Sequence, residues 1–288
     1  MNGDVIGGKA RLSARDVTLG YGDRVVSTRL DLDVPDGAFT AVVGANACGK
    51  STLLRSFARL LAPSEGEVTF DGRDVRGYHP KAIARQVGFL PQGAVAPENI
   101  LVRQLVARGR YPHQSLLSTW SAEDERAVAA AMDAAGVADL AGRRVEDLSG
   151  GQRQRAWVAM VLAQETPYLL LDEPTTFLDI THQYQLLALL ARLRDEGRTI
   201  VAVLHDINQA CRFADHLVAM RAGRVVAAGA PADIVDAALV AEVFELSCVI
   251  VPDPVTGTPM VVPTAEYGGG RAPARSQAKM GAPGGDDQ

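Results

Sequence analysis

The feature that most narrows what this chain can become is the run Gly44-Ala45-Asn46-Ala47-Cys48-Gly49-Lys50-Ser51. It follows a short apolar stretch, residues 38–43, that suits a buried strand, and it opens residues 50–61, which suit a helix. The pattern G-x-x-x-x-G-K-[ST] between a strand and a helix is that of a phosphate-binding loop. Backbone N–H groups and the helix N-terminus form a cradle for an anion. Lys50 has the length to reach β- and γ-phosphates, and Ser51 has the hydroxyl to ligate Mg²⁺. An ordinary glycine-rich turn accounts for the glycines alone but not for the Lys-Ser pair. A strand feeding such a loop implies a parallel sheet with helices against it.

The rest of the chain fits that core. Residues 11–39 alternate apolar and polar side chains, as in Leu30-Asp31-Leu32-Asp33-Val34, and predict half-buried strands. Pro35-Asp36-Gly37 is a turn, and Val68-Thr69-Phe70 before Asp71-Gly72 predicts a hairpin. From about residue 94 to 163 the periodicity turns helical, with helices over 122–135 and 151–164. This block is a helical insertion between two parts of a sheet. Strands at 168–172 and 199–204 alternate with helices at 182–194 and 207–213, the pattern of βαβ units. A hairpin closes through Ala222-Gly223, between strands at 217–220 and 224–227. Residues 1–10 read as a flexible start, residues 11–265 as one domain, and residues 266–288, rich in Gly, Ala and Pro, as a disordered tail.

Composition sets outer limits. The 288 residues, 47% hydrophobic and 22% charged, suffice for a globular domain with its own core. A net charge of −5 argues against a nucleic-acid partner. Cys48, Cys211 and Cys248 match neither a disulfide framework nor a zinc site, so a reducing cytoplasm is expected. Residues 1–10 lack the apolar core of a signal peptide. No segment approaches the roughly 20 apolar residues that span a bilayer, so work at a membrane requires a partner to hold the chain there.

Two further elements carry chemistry. Tyr168-Leu169-Leu170-Leu171-Asp172-Glu173 is a buried strand ending in two carboxylates, at the end of a parallel strand where ligands bind. Asp172 is placed to hold the Mg²⁺ hydration shell, and Glu173 to orient or deprotonate an attacking water. A solvated strand end is the plainer alternative. Leu148-Ser149-Gly150-Gly151-Gln152 opens a second helix and makes a second anion-binding N-terminus. One nucleotide does not need two such cradles on one chain, whereas two chains arranged head to tail make sense of both.

Together these elements resemble the ATP-binding cassette (ABC) ATPases, over about residues 11–263. The resemblance implies an α/β fold: a P-loop NTPase core with a parallel sheet, an N-terminal antiparallel β-subdomain and an inserted α-helical subdomain. It implies ATP and Mg²⁺ as ligands. Tyr21 matches the aromatic that stacks on adenine, Gln92 the Q-loop that joins the Mg²⁺ site to the helical subdomain, Asp179 the D-loop, and His205 the switch histidine on the γ-phosphate. By the same resemblance Glu173, His205 and Gln92 serve hydrolysis. Gly44, Asn46, Ala47, Cys48, Gly49, Lys50, Ser51, Thr52 and Asp172 hold ATP from one copy, and Ser149, Gly150, Gly151, Gln152 and Asp179 complete the site from the other. Ser51, Gln92 and Asp172 are the expected Mg²⁺ ligands, partly through water.

Finer stretches, among them Gly109-Arg110-Tyr111-Pro112-His113-Gln114, Thr175-Thr176-Phe177-Leu178-Asp179-Ile180 and Leu204-His205-Asp206-Ile207-Asn208-Gln209-Ala210, resemble cassettes of bacterial iron(III)-siderophore importers. That implies a head-to-tail dimer at the cytoplasmic face of the inner membrane, bound peripherally to permease subunits and served indirectly by a substrate-binding protein. Cobalamin and haem importers, or a soluble ABC ATPase without a transport role, are the alternatives. A soluble ATPase for repair or translation carries a long coiled-coil arm or a second cassette, and neither is present here.

Four smaller expectations follow. Ala47 stands where the wider family usually has glycine, which costs about 1 kcal/mol if that residue needs φ > 0. Cys48 is either a small residue of which only the backbone matters or a thiol activated by its surroundings. The charge-rich Glu123-Asp124-Glu125-Arg126 is expected to be a solvated helix face, and the five histidines show no metal-ligand spacing.

Overall fold

The computed structural model describes residues 10–114 and 120–264. The expected flexible start (apart from Ala10) and the expected tail at 266–288 lie outside the described residues.

The chain begins with the antiparallel pair β1 (Leu12–Tyr21) and β2 (Arg24–Val34). Along β2, Leu30, Leu32 and Val34 are buried while Asp31 and Asp33 face water, the alternation expected of a half-buried strand. The fully buried β3 (Phe39–Gly44) then delivers the glycine-rich loop to α1 (Lys50–Phe57). β4 (Glu65–Phe70) and β5 (Arg73–Asp74) form the expected hairpin, and with β1 and β2 make a four-stranded sheet in the order β2-β1-β4-β5.

α2 (Pro80–Ala84) and β6 (Val87–Leu90) precede the helical insertion, which holds α3 (Val102–Ala107), α4 (Ala122–Ala134) and α5 (Gly150–Ala163). The sheet resumes with β7 (Tyr168–Asp172), α6 (Ile180–Asp195), β8 (Thr199–Val203), α7 (Ile207–Phe213), and the hairpin β9 (His216–Arg221) and β10 (Arg224–Gly229). α8 (Pro231–Ile234), α9 (Ala237–Phe244) and a last hairpin of β11 (Cys248–Pro252) and β12 (Pro259–Pro263) follow.

The six-stranded sheet runs β10-β9-β3-β8-β7-β6, parallel except at β9–β10. Its two faces bury different cores. Phe39, Ala41 and Val43 of β3 face the cluster built with α3 to α6, whereas Val42 faces the cluster shared with β1, β2 and β4. β3, β6, β7 and β8 all end at the same edge, so the loops after Gly44, Leu90, Asp172 and Val203 emerge together. No helix among the described residues is long and apolar enough to cross a membrane.

Two expectations change. The helix expected over 50–61 stops at Phe57, because Arg59 takes a left-handed conformation (φ 61°) and the N–H groups of Leu60 and Leu61 both fold back to the Arg55 carbonyl. The charged turn of α4 is not wholly solvated. Asp124 is buried, both as capping-box partner of Ser121 and as acceptor from Arg110 Nε at 2.8 Å. Arg110 is 2% exposed and also donates to the Ala163 carbonyl (3.0 Å) and Glu165 (2.6 Å), joining α4 to the end of α5. Spacing along one helix gives no sign of this pairing, because the partner lies beyond α4.

Breaking a buried ion pair from one side leaves the other charge stranded. Arg110→Ala is therefore expected to lower unfolding free energy by about 3–5 kcal/mol, read from urea unfolding. A loss no larger than that of an exposed pair contradicts the assignment.

Candidate nucleotide site

At the shared strand edge lies a cleft of about 550 Å³, lined by the glycine-rich loop from Asn46 to Thr52 together with Tyr21, Arg24, Val26, Gln92, Glu173 and His205. Its floor is fixed by backbone. Gly44 has φ 150°, and a Cβ there would lie 2.1 Å from the Met220 carbonyl oxygen. Gly49 has φ 107° where the loop enters α1. Gly223, in the β9–β10 turn, donates its N–H to the Cys48 carbonyl at 3.0 Å and holds the loop from behind. Ala47 does adopt φ 60°, so the strain that alanine brings there, about 1 kcal/mol, is present in this loop.

Lys50 is buried and turns back into the loop. Its Nζ donates to the carbonyls of Gly44 (2.9 Å) and Ala45 (2.8 Å), with the weak acceptor Cys48 Sγ at 3.9 Å. A buried ammonium bonded only to neutral groups, at the N-terminus of α1, is a site for an anion. The Cys48 side chain is itself buried in the core behind the loop, which favours the reading in which its backbone matters. Thr52 is also buried, one turn into α1.

Ser51 Oγ donates to Asp172 Oδ1 at 2.8 Å. Asp172 is 0% exposed, and its Oδ2 has no hydrogen-bond partner among the described residues. Burial raises its pKa above the usual carboxylate range, and the Ser51 hydrogen bond and the charge of Arg55 offset this only in part. A buried carboxylate with a free oxygen beside a hydroxyl is a hard-oxygen donor set, and these residues fit Mg²⁺.

Next along the chain, Glu173 adopts a left-handed conformation (φ 54°) that turns its side chain out of the strand line. Its Oε2 lies 2.7 Å from His205 Nε2. Glu173 is shielded and His205 half exposed, so the pair faces the open cleft. Tyr21 stands at the rim, its hydroxyl accepting from Arg55 Nη1 at 3.1 Å. Arg24 and Val26 also line the cleft, although the sequence reading singled out neither. No motif marks them, because they reach the site only through the pairing of β2 with β1.

The second set of expected residues lies elsewhere. Ser149 caps α5: its Oγ accepts from Gln152 N–H at 3.2 Å, and Gln152 Oε1 accepts from Ser149 N–H at 3.1 Å. Ser149 and Gly150 are exposed, and no residue from Ser149 to Gln152 lines the cleft. Gly150 and Gly151 pack against the 177–178 loop, where a Cβ on either would come within 3.2 Å of Phe177. Asp179 caps α6, accepting from the His182 N–H at 2.9 Å and lying 2.7 Å from His182 Nδ1. These bonds and the charge of Arg155 hold the Asp179 carboxyl below its usual range.

Residues 27–176 match the ABC transporter family. The chain is 56% identical over 255 residues to the ferric enterobactin transport ATP-binding protein of Escherichia coli K12, covering 88% of this chain and 94% of that one. It is 51% identical to the achromobactin transport ATP-binding protein of Dickeya dadantii, covering 88% and 94%. A dimeric ATP-binding cassette solved in a post-hydrolysis state with ADP and Pi superposes with a TM-score of 0.68 at 27% identity, covering 76% of this chain and 98% of that one.

The buried Asp172 charge opposes folding at neutral pH, since a raised carboxylate pKa means stability is lost as pH rises through it. Asp172→Asn is expected to raise the thermal midpoint without nucleotide by about 2–4 °C. It should also abolish the extra stabilisation that Mg²⁺ adds to ATP. A lower midpoint without nucleotide contradicts this account.

Proposed function

The chain belongs to the ABC transporter family, and from that membership we propose that it is the ATP-hydrolysing subunit of an iron(III)-siderophore importer, acting at the cytoplasmic face of the inner membrane. The observation that carries the hydrolytic half is the convergence of Lys50, Ser51, Asp172, Glu173 and His205 on one cleft edge. Siderophore cargo rests on the relatives, which transport ferric enterobactin and achromobactin.

In this reading the loop from Gly44 to Thr52 wraps the β-phosphate, and Lys50 exchanges its bonds to the Gly44 and Ala45 carbonyls for phosphate oxygens. Tyr21 stacks on the adenine, its ring steadied by Arg55. Ser51, Asp172 and Gln92 would hold Mg²⁺, which when bound would offset phosphate charge. Glu173 orients the attacking water and takes its proton, and His205 holds the Glu173 carboxylate on one side and the γ-phosphate on the other.

The exposed Ser149 and Gly150, with the half-buried Gly151 and Gln152 behind them, lie outside their own cleft, so they serve a second copy. Two chains head to tail then bury two ATP molecules, each between the P-loop of one copy and the α5 N-terminus of the other, with Asp179 beside it. A groove of about 320 Å³, lined by Ala58, Leu60, Ile83, Ala84, Val87 and Phe89 together with Arg59 and Gln164, suits a mainly apolar helix face from a permease. β6, which forms part of that groove, leads directly to Gln92 in the cleft, so docking and nucleotide state share one short segment. The permease in turn meets the substrate-binding protein.

Deleting the gene and restoring wild type or Glu173→Gln tests the proposal. Uptake of labelled iron–siderophore is expected to fall, to return with wild type and to stay lost with Glu173→Gln, whose ATP turnover should drop about 10²–10⁴-fold. Unchanged siderophore uptake with a loss of cobalamin or haem uptake would overturn the cargo and leave the importer ATPase reading in place.

A further inference from the structure

Glu173 and His205 stand just past the ends of neighbouring strands, β7 and β8, and each loop runs on into a helix, α6 or α7. His205 is half exposed, so packing does not fix it; its position follows the backbone that carries it. Behind the pair, the first turns of the two helices meet where Gln209 Nε2 donates to Gln183 Oε1 at 2.7 Å; farther along, Tyr184 of α6 packs edge-on against Phe213 of α7. Gln209 lies in the first turn of α7 and is 5% exposed. Its backbone N–H is capped by Asp206, the residue next to His205, at 3.2 Å. Gln183 lies in the first turn of α6. Its Nε2 donates to the Leu178 carbonyl at 3.1 Å and reaches the Thr175 carbonyl at 3.5 Å, both in the loop that leaves Glu173.

Resting on the reading of Glu173 and His205 as the hydrolytic pair, we propose that Gln183 and Gln209 are positioning residues, a brace that sets the spacing of the two loops. The Glu173 and His205 segments are then tied both in the cleft, Glu173 to His205, and behind it, where Gln183 at the start of α6 meets Gln209 at the start of α7. The far side of α7 is also anchored. Asn208 Nδ2 donates to the Val261 carbonyl at 3.1 Å, and Asn208 Oδ1 accepts from the Val261 N–H at 2.7 Å, which pins α7 to β12. The brace therefore ties the Glu173 loop to a helix that is itself held. An apolar contact fills the same space but sets neither direction nor distance, whereas a hydrogen-bonded amide pair with one partner buried, as Gln209 is, sets both. Glutamine suits both positions because one side chain accepts from α7 while donating to the loop.

The test uses the purified full-length chain and measures ATP turnover, KM for ATP and thermal midpoint together. Gln209→Met keeps the volume and removes the donor; Gln183→Glu keeps the acceptor and removes the donors to the loop. In both, kcat is expected to fall about 10–100-fold, as misplaced catalytic groups do. KM should move by less than about twofold and the midpoint stay near wild type, since neither residue touches ATP. Wild-type kcat in either folded variant, or a fall that merely tracks the folded fraction, overturns the brace. Glu173→Gln in the same preparation separates the two ideas. If it keeps wild-type turnover, the hydrolytic reading fails and the brace with it; if it is inactive while the glutamine variants turn over normally, only the brace fails.

Discussion

The hydrogen bond from Ser51 to Asp172 is the constraint on which the rest of the site depends. It ties the first turn of α1 to the end of β7, two strands away from β3 in the sheet. Once that distance is set, the glycine-rich loop, Lys50 and Glu173 have little freedom left. The bond also keeps a fully buried carboxylate half-satisfied, with one oxygen bonded and one left over. Such a group opposes folding in isolation and leaves one oxygen free to meet a cation. Lys50 is the mirror case, a buried ammonium held by loop carbonyls that a phosphate outcompetes. The cleft thus holds one charge of each sign in environments that water has left, which is the condition for strong binding of a charged, metal-bound ligand.

Eleven non-glycine residues among the described ones adopt left-handed conformations, and two of them belong to the cleft. Ala47 and Glu173, both lining the cleft, adopt left-handed conformations without being glycine. Residues in such conformations persist where the surroundings over-determine them, and they gather at functional loops. The parallel sheet supplies the surroundings: β3, β7 and β8 are buried on both faces and end in register. Away from the cleft, the buried charge of Arg110 is paired instead. Arg110 meets Asp124, Glu165 and a carbonyl, and that network holds the helical insertion together without inviting a ligand.

The parts of the fold with strong local patterns were legible in the sequence. The alternation in β2, the apolar β3 and the Gly-Lys-Ser loop each carry their structure in adjacent residues, and α7 falls where its spacing puts it. β6 was missed because four residues, Val87-Gly88-Phe89-Leu90, are too few to show a period, and its place in the sheet comes from pairing with β7. β11 and β12 were missed for the same reason. In the site, Lys50, Ser51, Asp172, Glu173 and His205 were readable because their chemistry sits at strand ends in recognisable runs. The pairing of Ser51 with Asp172, the Gln183–Gln209 bond and the burial of Asp124 were not, because each joins residues far apart in sequence.

The central claim is that each ATP site is completed by a second copy of the chain, and mixing two inactive variants tests it most directly. Lys50→Ala disables the P-loop of its own chain, and Ser149→Arg blocks the α5 N-terminus offered to a partner. In a mixed head-to-tail dimer one site carries both lesions and the other carries neither. The account predicts that each variant alone lacks ATP turnover and that the mixture regains a measurable part of it. Full turnover by Ser149→Arg alone, or a mixture as inactive as its components, would contradict the shared site.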